Sequence, residues 1–190
     1  MRAWELGALS LLALVGCGDT SARRITADDI TPIAPGTAVG SLFSGDYVIT
    51  TGVIEGCNCR VSSCATVHVL VGNVLTVAQT DGTLQISQST SSLILSGGVD
   101  SDGSFRVNAS VVQPGEVEFA VADGQFVFDS ASVTSFRINQ EVTAAVVGEL
   151  DCDIKGWASA QYAGPPTAFA GTDRGAAARR PGSFAFGVEP

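Results

Sequence analysis

Residues 104–121 read Ser104-Phe105-Arg106-Val107-Asn108-Ala109-Ser110-Val111-Val112-Gln113-Pro114-Gly115-Glu116-Val117-Glu118-Phe119-Ala120-Val121. Phe105, Val107, Ala109 and Val111 alternate with Ser104, Arg106, Asn108 and Ser110, and a period of two predicts a strand with one buried face. Pro114-Gly115 marks a turn, because Pro presets its φ and Gly accepts a positive one. Beyond it, Val117, Phe119 and Val121 alternate with Glu116, Glu118 and Ala120. This predicts a second strand with those three apolar residues inward and both carboxylates in solvent.

Working outward, the same period recurs over residues 45–162. Leu84 and Ile86 alternate with Thr83, Gln85 and Ser87. Further strands are predicted at residues 47–54, 66–71, 74–78, 93–99, 125–129, 133–138, 142–150 and 154–162. Asp81-Gly82, Asp100-Ser101-Asp102-Gly103 and Asp123-Gly124 separate them as turns, since Asp and Gly tolerate positive φ. No stretch has sustained helical spacing. The predicted fold is all-β, an antiparallel meander of about eight to ten strands. Closing such a sheet removes its unpaired edges. A lipocalin-like up-and-down barrel is therefore the first architecture and a β-sandwich the second.

The 190-residue chain is 45% hydrophobic, with 22 Gly and one Met. That balance suits one all-β domain with tails. Its net charge is −9. Between Asp46 and Lys155 the only basic residues are Arg60, Arg106, Arg137 and Lys155, so the domain carries no cluster of cations for phosphates and is not read as binding nucleic acid.

The N-terminus has a different character. Arg2 precedes the apolar run from Leu6 to Gly16, the pattern of an export signal and too short to cross a bilayer, which takes roughly 20 residues. The run ends in Leu14-Val15-Gly16-Cys17, which resembles the lipobox of bacterial lipoproteins. The resemblance implies cleavage before Cys17, a diacylglyceryl thioether on its sulfur and a further acyl chain such as palmitate on the new amine. Several chains give stable anchoring where one gives marginal binding. Gly18 rather than Asp follows Cys17, so by analogy with enterobacterial sorting the outer membrane of the envelope is favoured. Residues 1–16 are thus read as signal peptide and 17–44 as a flexible lipidated tether, with an end-to-end distance on the order of 30 Å. Residues 45–162 form the β domain, and 163–190, rich in Gly, Pro and Ala, a disordered tail. The hairpins around residues 83–87 and 97–107, with Trp157 near the last strand, resemble a set of Gly/Thr/Val-rich bacterial envelope lipoproteins. That likeness implies a fold class and no activity.

With Cys17 used for lipid, Cys57, Cys59, Cys64 and Cys152 remain, an even number in an exported domain and therefore two expected disulfides. A Cys57–Cys59 bond needs a very tight ring. Joining Cys152 to Cys57 or Cys59 ties the ends of the meander together. The competing reading, a zinc site from Cys57, Cys59, Cys64 and His68, is disfavoured by the oxidising envelope and the fourth cysteine, so no metal is expected. Asp100-Ser101-Asp102-Gly103 has half the ligands of a calcium loop and is read as a turn. His68 is the single histidine and no nucleophile elbow or phosphate loop is present, so no catalytic residue and no cofactor are expected.

The expected function is a non-enzymatic envelope lipoprotein, held by its N-terminal lipid, whose β domain is a binding or structural module. The alternative is a lipocalin-like carrier of a small apolar ligand. Ala109, Ala144 and Gly148 would leave it room, and Phe105, Phe119, Phe126 and Phe128 would fill it. An envelope protein is the other expected partner.

Overall fold

The computed structural model describes residues 22–88, 91, 93–130, 132–148, 150–167 and 186–188. Residues 1–16, read above as a signal peptide, and Cys17 lie outside the described residues. Eight strands close into an antiparallel barrel: β1 (Gly45–Cys59), β3 (Val74–Thr80), β4 (Thr83–Gln88), β5 (Ile94–Val99), β6 (Ser104–Gln113), β7 (Glu116–Asp129), β8 (Ser132–Val146) and β9 (Leu150–Gly164). Neighbours in sequence are neighbours in space, and β1 closes the ring against β9 from Asp46↔Gly164 to Cys59↔Cys152. Outside it, β2 (Val67–Val69) pairs with β10 (Phe186–Val188). The barrel, rather than the sandwich, is the observed architecture, and the described residues contain no α-helix.

The hairpin that decided the fold also corrects the reading of its second half. Pro114-Gly115 pairs Gln113 with Glu116, and from there Val111 faces Glu118, Ala109 faces Ala120 and Val107 faces Ala122. Directly opposed residues share a face. Since Phe105, Val107 and Ala109 are inside, Glu118, Ala120 and Ala122 must be inside as well. Val117, Phe119 and Val121 point outward, and Glu118 is buried. A register shift of one residue exchanges the two faces of a strand, and here the two-residue turn sets the parity against the apolar pattern.

Two predicted boundaries also move. Asp123-Gly124 is no turn; it lies inside β7, which runs unbroken to Asp129. Gly124 is needed there because a Cβ would stand 2.3 Å from the Phe105 ring and 2.2 Å from the Arg137 carbonyl oxygen. The segments predicted at 133–138 and 142–150 are one strand, β8, followed by a turn and β9.

The ends of the barrel differ. At one, Phe43, Tyr47, Phe105, Phe126 and Phe136 pack ring against ring, with Phe43 stacked on Phe126 at 4.6 Å. Phe128 stands at its edge against Phe43, and Phe119 is outside, so two of the four expected filling phenylalanines, Phe105 and Phe126, are within the core. Of the expected small interior residues, Ala109 and Ala144 are inside, while Gly148 occupies a turn at φ +79°. The other end carries the four cysteines.

Residues 22–44 do not hang free, as the tether reading expected. They form a strap across the outside of the barrel. The Ile25 amide donates to Thr143 Oγ1, the Asn108 side-chain amide to the Thr31 carbonyl, the Gly36 amide to the Gly82 carbonyl and the Ala38 amide to the Val99 carbonyl. Gly98 lets the strap lie flat, since a Cβ there would sit 2.4 Å from the Ala34 carbonyl oxygen. Ala22, Ile25, Ala38 and Phe43 are buried. Arg23 and Arg24 reach Asp29, Glu141 and Asp151. Such exposed ion pairs contribute little each, so apolar burial and backbone bonds hold the strap. A few apolar side chains in a polar, Pro-containing segment carry no periodic signal, which is why the sequence read as a tether. The tail reading is corrected at two points: Thr167 donates to Asp46, and residues 186–188 add a strand to β2.

Candidate functional site

The four cysteines converge where β1 ends. Cys57 bonds Cys64, closing the loop after β1, and Cys59 bonds Cys152 across the β1–β9 pair, spanning 93 residues. Of the two predicted partners of Cys152, Cys59 is the one used. Cys57, Cys59 and Cys64 bring three sulfurs within 4.8 Å of one another because the two bonds lie side by side. Half-cystines offer no thiolate to an ion. His68, the fourth residue of the competing zinc set, sits on β2 opposite Gly187.

Asp151 and Asp153 flank Cys152 on the outer face. Arg60 donates to both, Arg24 donates to Asp151, and Thr143 Oγ1 donates to Asp153 Oδ1 at 2.9 Å. The Arg24 hydrogen bond holds the Asp151 carboxyl below its usual range. Asp153 is 1% exposed beneath this cluster. At the aromatic end, Asp100 accepts from the Thr37 amide and hydroxyl, and Asp102 from the Ser104 amide and hydroxyl. These carboxylates shape a turn and tie down the strap.

The interior holds the feature that sequence reasoning missed. Glu118 and Gln140 are each 2% exposed, and both project inward, Glu118 opposite Ala144 and Gln140 opposite Ala122. Glu118 Oε1 and both polar atoms of the Gln140 amide make no hydrogen bond. Leaving such a group unsatisfied costs about 1–3 kcal/mol, so buried polar atoms without partners call for an explanation. Along β7 the two positions lie about 13 Å apart. Ala120 and Val142 form the wall between them, with Ala109 paired to Ala120. Parity was the available signal: counting from a two-residue Pro114-Gly115 turn would have sent Glu118 inward.

Burial, with a smaller contribution from the Glu116 charge, pushes the Glu118 carboxyl from the usual 4.5 up to about 8. Its folded state alone holds the proton between those values, so stability falls as pH rises from about 4.5 through about 8 and the full cost stands above that. We expect Glu118→Gln to gain roughly 2–4 kcal/mol over the parent at about pH 8.5 and almost nothing at about pH 4. Urea unfolding at the two pH values measures this; an equal gain at both would show that the carboxyl is not charged at a cost.

On the outer face, a groove of about 360 Å³ beside the strap is lined by Arg23, Glu55, Arg106, Asp123, Glu141 and Lys155, with Lys155 Nζ 3.7 Å from Glu141. Opposite charges alternate there, so the groove selects no sign of ligand. Comparison with protein families, curated proteins and solved structures finds no match to this chain.

Proposed function

We propose that the protein is a lipid-anchored component of the bacterial envelope, cut before Cys17 and acylated there, whose barrel works without catalysis as a binding or structural module. The observation that carries the reading is cysteine parity. Cys57, Cys59, Cys64 and Cys152 are bonded in pairs, and the one remaining cysteine stands in Leu14-Val15-Gly16-Cys17. Disulfides fit an exported chain, and the odd sulfur is where an acyl thioether would form.

A second reading, a small-molecule carrier, is favoured by Glu118 and Gln140. The aromatic half of the barrel is packed, so a ligand would lie along the alanine-rich wall between these two groups. It would need a donor for Glu118 and a polar group for Gln140, and so would be less apolar than the sequence suggested. Eight-stranded barrels are either filled by side chains or hold one such molecule.

Mass spectrometry of the protein extracted from its membrane decides both. The anchoring reading expects a chain starting at Cys17 with added acyl mass, gaining four hydrogens on reduction of its two disulfides. A chain that retains residues 1–16 without acyl mass overturns it. Under native conditions, a co-purifying small molecule lost in Glu118→Leu/Gln140→Leu supports the carrier. A bare acylated chain leaves the structural module.

A further inference from the structure

We propose that the cysteine-bearing end of the barrel rests on the lipid surface, with the aromatic end pointing away. The inference builds on acylation of Cys17 and goes beyond it, because it assigns a docking face and an orientation.

Leash length is the first argument. Ala22 is buried against the barrel, Arg24 bonds Asp151 and the Ile25 amide bonds Thr143. Only residues 18–21 separate Cys17 from Ala22. Five residue steps span at most about 18 Å even when fully extended. Thr143 lies three residues from the end of β8 at Val146, or about 10 Å of strand, whereas Ser132 at the opposite end is roughly 37 Å of strand away. Strands tilted at 35–45° still leave the aromatic end about 25–30 Å further along the axis. The leash is too short to let that end meet the lipid.

Surface chemistry points the same way. Val147, Val112 and Val61 are 83%, 69% and 56% exposed around the cysteine-bearing end. Val147 and Val61, with Val117 and Val146, border a notch of about 340 Å³ that also touches Asp151, the residue Arg24 holds. Charged groups at this end are mixed, with Arg24 and Arg60 paired to Asp151 and Asp153 and Glu116 nearby. Apolar exposure alone does not choose an end, since Val39 and Leu42 are exposed at the other. Charge does: Asp81, Asp100, Asp102 and Asp129 stand at or beside the turns of the aromatic end, and the described residues of those turns include no Lys or Arg. Four carboxylates favour water over a headgroup layer, and anionic lipid repels them.

Tryptophan quenching tests the orientation. Val147→Trp and Leu42→Trp, each combined with Trp157→Phe, are placed as the acylated chain starting at Cys17 in phosphatidylethanolamine–phosphatidylglycerol vesicles with or without brominated acyl chains. A rim dipping about 5–10 Å into the interface should cost the Val147→Trp variant roughly half its emission, with the Leu42→Trp variant unchanged. Equal quenching of the two, or quenching of neither in protein whose mass carries the acyl chains, overturns the orientation and leaves the anchor standing. Protein lacking acyl mass on Cys17 removes the anchor, and the orientation with it.

Discussion

Cys59→Ala/Cys152→Ala should unfold with about 4–5 kcal/mol less stability than the parent, because the bond it removes closes a loop of 93 residues. Cross-linking restricts the unfolded chain by an entropy that grows with the logarithm of loop length. The Cys57–Cys64 bond closes a loop of 7, so Cys57→Ala/Cys64→Ala should cost only about half as much. For a domain of this size, each kcal/mol moves the midpoint by roughly 2–4 °C, so the long-loop variant should melt on the order of 10–20 °C lower. Thermal unfolding of the detergent-solubilised protein, followed by far-ultraviolet circular dichroism, gives both numbers. A larger loss from the short loop would show that loop closure is not what the long bond contributes. Cys152 is fully buried between β1 and β8, so alanine also removes packing there, in the same direction.

Phe126→Ala should cost about 3–5 kcal/mol, the range for deleting a large buried ring. Phe126 is 1% exposed and lies 4.6 Å from Phe43, 5.2 Å from Phe105 and 5.2 Å from Phe136, centroid to centroid. Its loss opens a cavity that three neighbours cannot fill together, and removes the stacking partner of Phe43. Phe43 is the last buried residue of the strap, so hydrogen exchange should rise across residues 38–44 as well. Phe119→Ala is the control. The alternation of β7 placed Phe119 in the core, whereas the observed register puts it half-buried outside, where alanine should cost roughly 1–2 kcal/mol. A Phe119→Ala loss as large as that of Phe126→Ala would overturn the register of β7.

The candidate site was harder to read than the barrel. The cysteine pairs were legible as a set, because an even count in a domain read as exported limits what sulfur can do. Glu118 was misread, since a carboxylate in an alternating strand is usually the solvent-facing member. What reversed it is non-local: the inward face of β7 is dictated by β6 through a two-residue turn, and β6 has the stronger pattern. Gln140 was passed over for a related reason. Val142 and Ile138 mark its face as apolar, and an amide among them carries no signal until its neighbours are known. The strap escaped because Ile25 and Phe43 are single apolar residues about eighteen positions apart, each buried against strands distant in the chain.

By itself the sequence determined the strand period, most of the turns, the acidic surface, the even set of domain cysteines and the motif around Cys17. Each of these is local, written in side-chain size and charge at spacings of one to a few residues. Tertiary structure alone decided closure of the ring, which face of β7 is inside, the Cys59–Cys152 choice and the course of residues 22–44. These depend on which distant backbones meet. A hairpin's parity or a glycine that lets two chains touch is worth more there than the average preference of a residue for water.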